Sequence, residues 1–437
     1  MKKISLNKQL LLALLGSILF ATAYTYFDLH LPFLEKNMTK LGMSFISLLQ
    51  LVAVPLVIFS VIVSFNSVKN PRELSSMGGI TLVLYTMSTV IAACLGLLIG
   101  NIIKPGHIFK WLGGLSQADI QPMKDIAQQH IPATTAVDSS MQSFIPSNLF
   151  ALMSDNNNLL FIVFFAGCFG MALLSLAPKK KQAMLTFCEA GQDAFTQMMG
   201  YVMQLAPFGV FALISSQLIM MISLNPDGLP NILSGIGIYV TTVVFGLGLL
   251  VFGLYPLVVS LFSNIGFIQF LKTMYPAQLH AFTTSSSTGT LYQTSKQVAK
   301  LNVPARIRNF VLTLGATVNM DGTALYQSVT MAFITQLFDI ELDTWLQINI
   351  VFYLTVSTIG VAGVPGASLV TTTILLQRLV SQGLLEHGQM LIGLGLIYIP
   401  DRFLDMCRTT ANIEGDATVA VLVKSFEDKR EKTLESR

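Results

Sequence analysis

Charge is scarce in this 437-residue chain: only 11% of its residues are Asp, Glu, Lys or Arg, against about 25% in a typical soluble domain. So few charges cannot clothe a water-facing surface, which excludes a soluble globular fold. Lys and Arg number 26 and Asp and Glu 23, leaving a net charge of +3. That small and scattered excess excludes nucleic acid as a partner. Cysteine is also sparse. Cys94, Cys168, Cys188 and Cys407 lie in or beside apolar stretches and form no CxxC pair, so they read as buried free thiols rather than a disulfide framework or a zinc site. The five histidines are dispersed without ligand spacing, and no cofactor is expected. What fills the chain instead is apolar: 53% hydrophobic residues with a mean hydropathy of +0.65. The class that follows is an all-α polytopic membrane protein.

Apolar runs predict helices near 9–29, 43–68, 78–103, 158–178, 193–221 and 233–263, each long enough to cross roughly 30 Å of hydrocarbon. The first run begins with a basic segment and contains Ala21-x-Ala23, as a cleavable signal peptide does. Its apolar character extends through Tyr24–Phe27, which favours a retained transmembrane helix. Lysines and arginines cluster before the first helix, between the second and third, and after the fourth (Lys179, Lys180, Lys181). With both termini cytoplasmic, these clusters fall on one side, as the positive-inside rule requires. Residues 104–157 are then an external polar loop.

The second half is patterned differently. "AFTTSSSTGTLYQTSKQ" within 267–300 is dense in Ser, Thr and Gly, and "STIGVAGVPGASLVTTT" within 346–380 has apolar arms around a Gly/Pro tip. Each reads as a helical hairpin that enters the membrane and turns back, with interrupted backbone lined by protein or water; the alternative is an ordinary loop between helices, which the apolar arms of 346–380 disfavour. Each hairpin precedes a helix with polar residues in an apolar frame: "NMDGT" at 319–323, then "DRFLDMCRTTANIEGD" at 401–416. Paired interrupted segments in corresponding positions point to the binding site of a secondary transporter.

On the last helix Asp405, Arg408, Thr409, Asn412 and Asp416 share one face at 100° per residue, with Asp401 close to it. A charge at the bilayer centre costs about 2.5–3.5 kcal/mol, so these groups must pair or face a polar cavity. The guanidinium of Arg408 suits bidentate capture of a carboxylate. Asp405, one turn away, suits an ammonium. Together they match a zwitterion with an acidic side chain. Asn412 and Asp416, with Asn319, Asp321 and Thr323, offer the oxygen donors a hard cation takes. The Ser285–Thr290 tip presents N–H groups at a helix N-terminus, suited to an anionic group.

The motifs "SSSTGTL", "NMDGT", "VAGVPGA" and "DxxRTxxNxxGD", in that order, resemble those of the glutamate/aspartate–cation symporters, the dicarboxylate/amino acid:cation symporter family. "VPLVIFSVIVS" and "LAPFGVFALIS" add to the likeness, which covers roughly 40–425. The resemblance implies eight transmembrane helices plus two re-entrant helical hairpins built as inverted repeats, in a homotrimer working by an elevator-type movement. Its domains would be 1–77 and 158–230 as scaffold, 78–103 and 231–424 as transport domain, 104–157 as external loop and 425–437 as cytoplasmic tail.

By the same resemblance Arg408 would bind the substrate side-chain carboxylate and Asp405 its amino group. Asn412, Thr323, Ser286, Ser287, Thr409 and the Val364–Ser368 backbone would hold the remainder. One cation would sit among Gly315, Asn319, Asn412 and Asp416, and a second among Thr317, Thr358, Ile359 and Val361. A third would use Tyr85, Ser88, Thr89, Asn319 and Asp321, where "YTMST" fits the family pattern. An arginine that family members carry at the first hairpin tip, or just after the Asp405 position, is Ser285 or Met406 here. The expected activity is symport of L-aspartate or L-glutamate with Na+ or H+ across the plasma (inner) membrane, and not catalysis. Cystine or a C4-dicarboxylate is the alternative substrate, and an anion-conducting channel the alternative class.

Overall fold

Proline opens the helices that begin at Pro32, Pro105 and Pro178, yet Pro55, Pro207, Pro276 and Pro400 lie inside helices. The structure is a computed structural model that describes residues 6–27, 29, 31–66, 77–112, 159–224, 229–358 and 367–435. Among these, every regular element is helical. The first half forms α1 (Leu6–Tyr26), α2 (Pro32–Asn66), α3 (Gly79–Ile103), α4 (Pro105–Trp111), α5 (Leu159–Leu174) and α6 (Pro178–Leu224). The second half forms α7 (Leu229–Leu249), α8 (Tyr255–Phe262), α9 (Phe267–Thr284), α10 (Ser287–Ala299), α11 (Ala305–Val318), α12 (Asp321–Leu337), α13 (Thr344–Thr358), α14 (Ala367–Ser381) and α15 (His387–Glu435).

Four stretches among the described residues are long and apolar enough to cross a bilayer: Asn37–Val63, Gly79–Trp111, Pro178–Ser216 and Pro230–Phe262. Some expected boundaries need correction. The stretch expected as a loop from 104 begins with helix α4. Lys104 adopts a left-handed φ of 53°, and Pro105 opens the new helix, where its missing N–H costs nothing. Lys179–Lys181 lie in the first turn of α6 rather than before a later helix, and α15 continues through most of the expected tail. Residues 113–157, and the tip of the second expected hairpin with Ile359, Val361 and Val364, lie outside the described residues.

The helices pack as two groups. In one, α2 lies against α5 and α6, and α1 against α6. In the other, α12 is the central rod, with every one of its residues buried. Around it pack α3, α4, α7, α13 and α15. Close approach comes from glycine: a Cβ at Gly96 or Gly100 of α3, or at Gly106 of α4, would run into α12. Small residues at contacts are how helices associate where lipid supplies no hydrophobic drive. The seams between the groups are thinner, with α11 and α14 against α2, α13 against α5 and α15 against α6.

Two breaks position the site. Helices α9 and α10 pair as a hairpin, turning at Ser285 with φ 50°. Ser286 caps α10, its Oγ accepting from Gly289 N at 3.0 Å. The rod of α11 and α12 is interrupted at Asn319 and Met320, both outside helical geometry. The break leaves the carbonyl end of α11 and the N–H end of α12 facing the same small volume.

Candidate functional site

The break at "NMD" sets three helices around one cluster of oxygens. Asp321, the first residue of α12, is fully buried, and a buried carboxylate must find donors. Thr89 of α3 donates to its Oδ1 at 2.8 Å, Tyr255 at the start of α8 donates to its Oδ2 at 2.7 Å, and Ser88 donates to the same oxygen. Asn319 bridges onward. Its Nδ2 donates to Asp416 Oδ1 at 3.0 Å, and its Oδ1 accepts from Ser88 at 3.3 Å. Asn412 of α15 accepts from Gly322 N at 2.8 Å, so the side chain fills one of the N–H vacancies that a helix start leaves.

Glycine permits this convergence. A Cβ on Gly415 would meet Asn319 Nδ2 and Asp321 Oδ2, each at 2.8 Å. One on Gly322 would meet the Arg408 carbonyl, and one on Gly315 would overlap Asp416 Oδ1 and the Tyr85 hydroxyl. A methyl inserted into such a contact costs typically 1–3 kcal/mol. Gly315→Ala is therefore expected to displace the Asp416 carboxylate and cut cation-dependent uptake by at least about tenfold. Gly237→Ala, where a Cβ meets nothing within 4 Å, is the matched control and should leave uptake unchanged.

One side of this cluster leads to the charged face of α15. The Arg408 side chain is 1% exposed. Its Nη2 donates to Asp405 Oδ1 at 3.0 Å, and its Nη1 lies 2.9 Å from Asp401 Oδ1 as an ion pair without hydrogen-bond alignment. Its Cζ stands 4.0 Å from the ring centroid of Tyr326 on α12, a cation–π contact worth about 2 kcal/mol or more when desolvated. Arg402 Nη1 binds the other Asp405 oxygen at 3.2 Å. Among the described residues, Nε and Nη1 of Arg408 have no hydrogen-bond acceptor. A buried guanidinium held between two carboxylates can take a further carboxylate once one of them turns away.

Several expected residues meet. Ser88, Thr89, Asn319 and Asp321 form one connected set, and Asn319 joins it to Asp416 and Gly315. The Tyr85 hydroxyl donates to Val311 O at 2.8 Å and adjoins Gly315 and Asp416. Thr323, Ser287 and Ser368 are buried, while the hydroxyls of Thr409, Thr317 and Thr358 donate back to carbonyls of their own helices. Arg402, with no role in the expected site, binds Asp405. Glu414 lies off the charged face as helical spacing predicts, and is buried facing Gln278 of α9.

Sequence reasoning missed Tyr255, Tyr326 and Gln327. Tyr255 follows a π-helical turn, Leu250–Leu254, which rotates it out of the α-helical register. Tyr326 is an aromatic residue in an apolar helix and carries no local signal. Asp401, placed near the charged face by its spacing, ion-pairs with Arg408. Gln327 ties α12 to α14, its Nε2 donating to Thr371 Oγ1 at 2.7 Å and to Thr372 Oγ1 at 3.2 Å.

The model of the sodium:dicarboxylate symporter family matches residues 6–426. The proton/sodium-glutamate symport protein of Bacillus caldotenax is 31% identical over 435 residues, covering 98% of this chain and 96% of its own length. The proton/glutamate-aspartate symporter of Escherichia coli K12 is 29% identical over 437 residues, covering 99% and 95%. The neutral amino acid transporter B(0) of Bos taurus is 29% identical over 411 residues, covering 89% and 74%. The oxygen cluster and the charged face thus sit in a chain that matches the family almost end to end: it belongs to the sodium:dicarboxylate symporter family.

Proposed function

We propose that this chain is a secondary active symporter that takes up an acidic amino acid, L-aspartate or L-glutamate, together with Na+ or H+. The observation that carries the reading is the buried Arg408, its Nε without an acceptor, set beside Asp405 and within one helix turn of the oxygen cluster around Asn412. The substrate side-chain carboxylate engages the guanidinium. Asp405 then turns from Arg408 to the substrate ammonium. Asn319, Asp321, Asp416 and the carbonyl end of α11 provide the hard oxygen donors that suit Na+, and Thr323, Ser287 and Ser368 line the remainder.

The two helix groups fit a division of labour. Helices α1, α2, α5 and α6 are the scaffold, assembled as a homotrimer. Helices α3, α4 and α7–α15 carry the solute by an elevator-like movement, with α9–α10 and α13–α14 as the two re-entrant hairpins. Both termini are cytoplasmic. The relatives named for glutamate symport support the substrate class, and those named for proton and sodium support the coupling ions.

Uptake of radiolabelled aspartate into proteoliposomes, with a Na+ gradient, a proton gradient or neither, tests the reading. Accumulation above equilibrium under one of the gradients is expected. Equilibration without accumulation would mean a channel. Competition by aspartate, glutamate, succinate, serine and cystine assigns the substrate; inhibition by cystine or succinate alone would overturn the acidic amino acid.

A further inference from the structure

On the outer side of α3, away from the oxygen cluster, the chain builds a groove that solute binding does not use. It is a cavity of about 710 Å³ between α3 and α13, lined by Val90, Cys94 and Leu98 on one side and Ile348, Val351 and Phe352 on the other. The spacing is helical on both sides, so each helix turns a single stripe into the groove. Leu98, Ile348 and Phe352 are 55%, 54% and 60% exposed. Helix α3 is part of a membrane-crossing stretch, so the medium meeting these side chains is hydrocarbon rather than water.

We propose that this groove binds one acyl chain of a phospholipid, with the headgroup held near Lys104. Three features specify that occupant. The wall from Thr86 to Asn101 rises about 22 Å along α3, enough for a chain reaching through one leaflet, roughly half of a 30 Å core. Its volume falls within the roughly 300–1,000 Å³ of pockets that enclose a ligand. One end changes from apolar to polar: Asn101 Nδ2 donates to Gln347 Oε1 at 3.1 Å and closes the groove. One turn further, at the end of α3, stands the exposed Lys104, a cation that a lipid phosphate reaching past Asn101 would meet. Near the other end Val356 packs against the apolar cluster of α2, α5 and α6. The groove therefore lies at the seam between the helix groups, where a bound chain would fill the joint.

The test uses the full-length protein in nanodiscs containing phosphatidylglycerol or phosphatidylcholine with a photoactivatable diazirine in the acyl chain. Labelled peptides are mapped by mass spectrometry, with the exposed Leu257 and Leu261 face of α8 as reference. Groove peptides should be labelled at least threefold more than that face. Val90→Trp and Val351→Trp should each cut groove labelling at least threefold and leave the α8 face unchanged; Cys94→Phe replaces either variant that fails to fold. Lys104→Gln should reduce labelling by phosphatidylglycerol and leave that by phosphatidylcholine unchanged. Equal labelling of groove and α8 face, or labelling indifferent to the groove-filling variants, overturns the site. Indifference of phosphatidylglycerol labelling to Lys104→Gln overturns the headgroup contact.

Discussion

Arg408→Cys is expected to lower uptake of aspartate and glutamate by at least about two orders of magnitude and to admit a neutral amino acid such as serine. The guanidinium is buried, faces Asp405 and Asp401, and lies over Tyr326. Removing one partner of a buried ion pair costs about 3–5 kcal/mol, because Asp401 loses its cation and Asp405 keeps only Arg402. For an acidic substrate the loss is compounded, since its side-chain carboxylate would enter beside two other anions. A neutral substrate brings an ammonium to Asp405 and asks nothing of position 408. Arg408→Lys separates charge from shape: it keeps the cation but loses the planar fork, so its activity should fall between wild type and Arg408→Cys. Initial rates with labelled aspartate and labelled serine decide the matter. Undiminished aspartate uptake by Arg408→Cys would remove Arg408 from the site.

Asp321→Asn should raise the Na+ concentration for half-maximal uptake by roughly 10- to 100-fold. Three hydroxyls, those of Ser88, Thr89 and Tyr255, converge on this carboxylate. Hydrogen bonds to a charged group contribute about 1.5–3 kcal/mol each, so the anion fixes the orientation of every donor around it. An amide turns an N–H toward hydroxyls that were donating and takes away the negative charge the cation needs. Tyr255→Phe keeps the charge and deletes one donor, so its effect should be smaller. The readout is initial uptake against Na+ at fixed aspartate. An unchanged Na+ curve would place the coupling ion elsewhere.

The helical face of α15 was legible because its spacing is local. Asp405, Arg408, Asn412 and Asp416 fall on one side at 100° per residue, and the structure joins them to one another, to α12 or to Asn319 in the break before it. The "NMDGT" break was legible because Asp-Gly in an apolar helix needs an explanation. What stayed hidden depends on three dimensions. Arg402 is sequence-adjacent to the site, yet only the folded helix shows it on the second oxygen of Asp405. Tyr255 reaches Asp321 through a π turn that leaves no mark in hydrophobic periodicity. Helix α4 has seven residues, too few to carry a period. It is fixed by Gly106 against α12 and by Gln336 accepting from the Gly106 N–H at 3.1 Å.

The crowding of carboxylates around Arg408 has an electrical consequence. Asp321, Asp401, Asp405 and Asp416 are buried with Arg408, and the half-buried Arg402 stands beside Asp405, so these six groups, fully ionised and without cargo, hold two negative charges. An acidic amino acid adds a third. Three monovalent cations would make the loaded carrier neutral, and a membrane potential would neither help nor oppose its passage. The unloaded carrier keeps its two negative charges, and an inside-negative potential of 100 mV acts on each with about 2.3 kcal/mol over the full field. Voltage would then drive the outward return of the empty carrier rather than the inward delivery of its cargo, and the resting potential would set how fast the site is presented again to the outside.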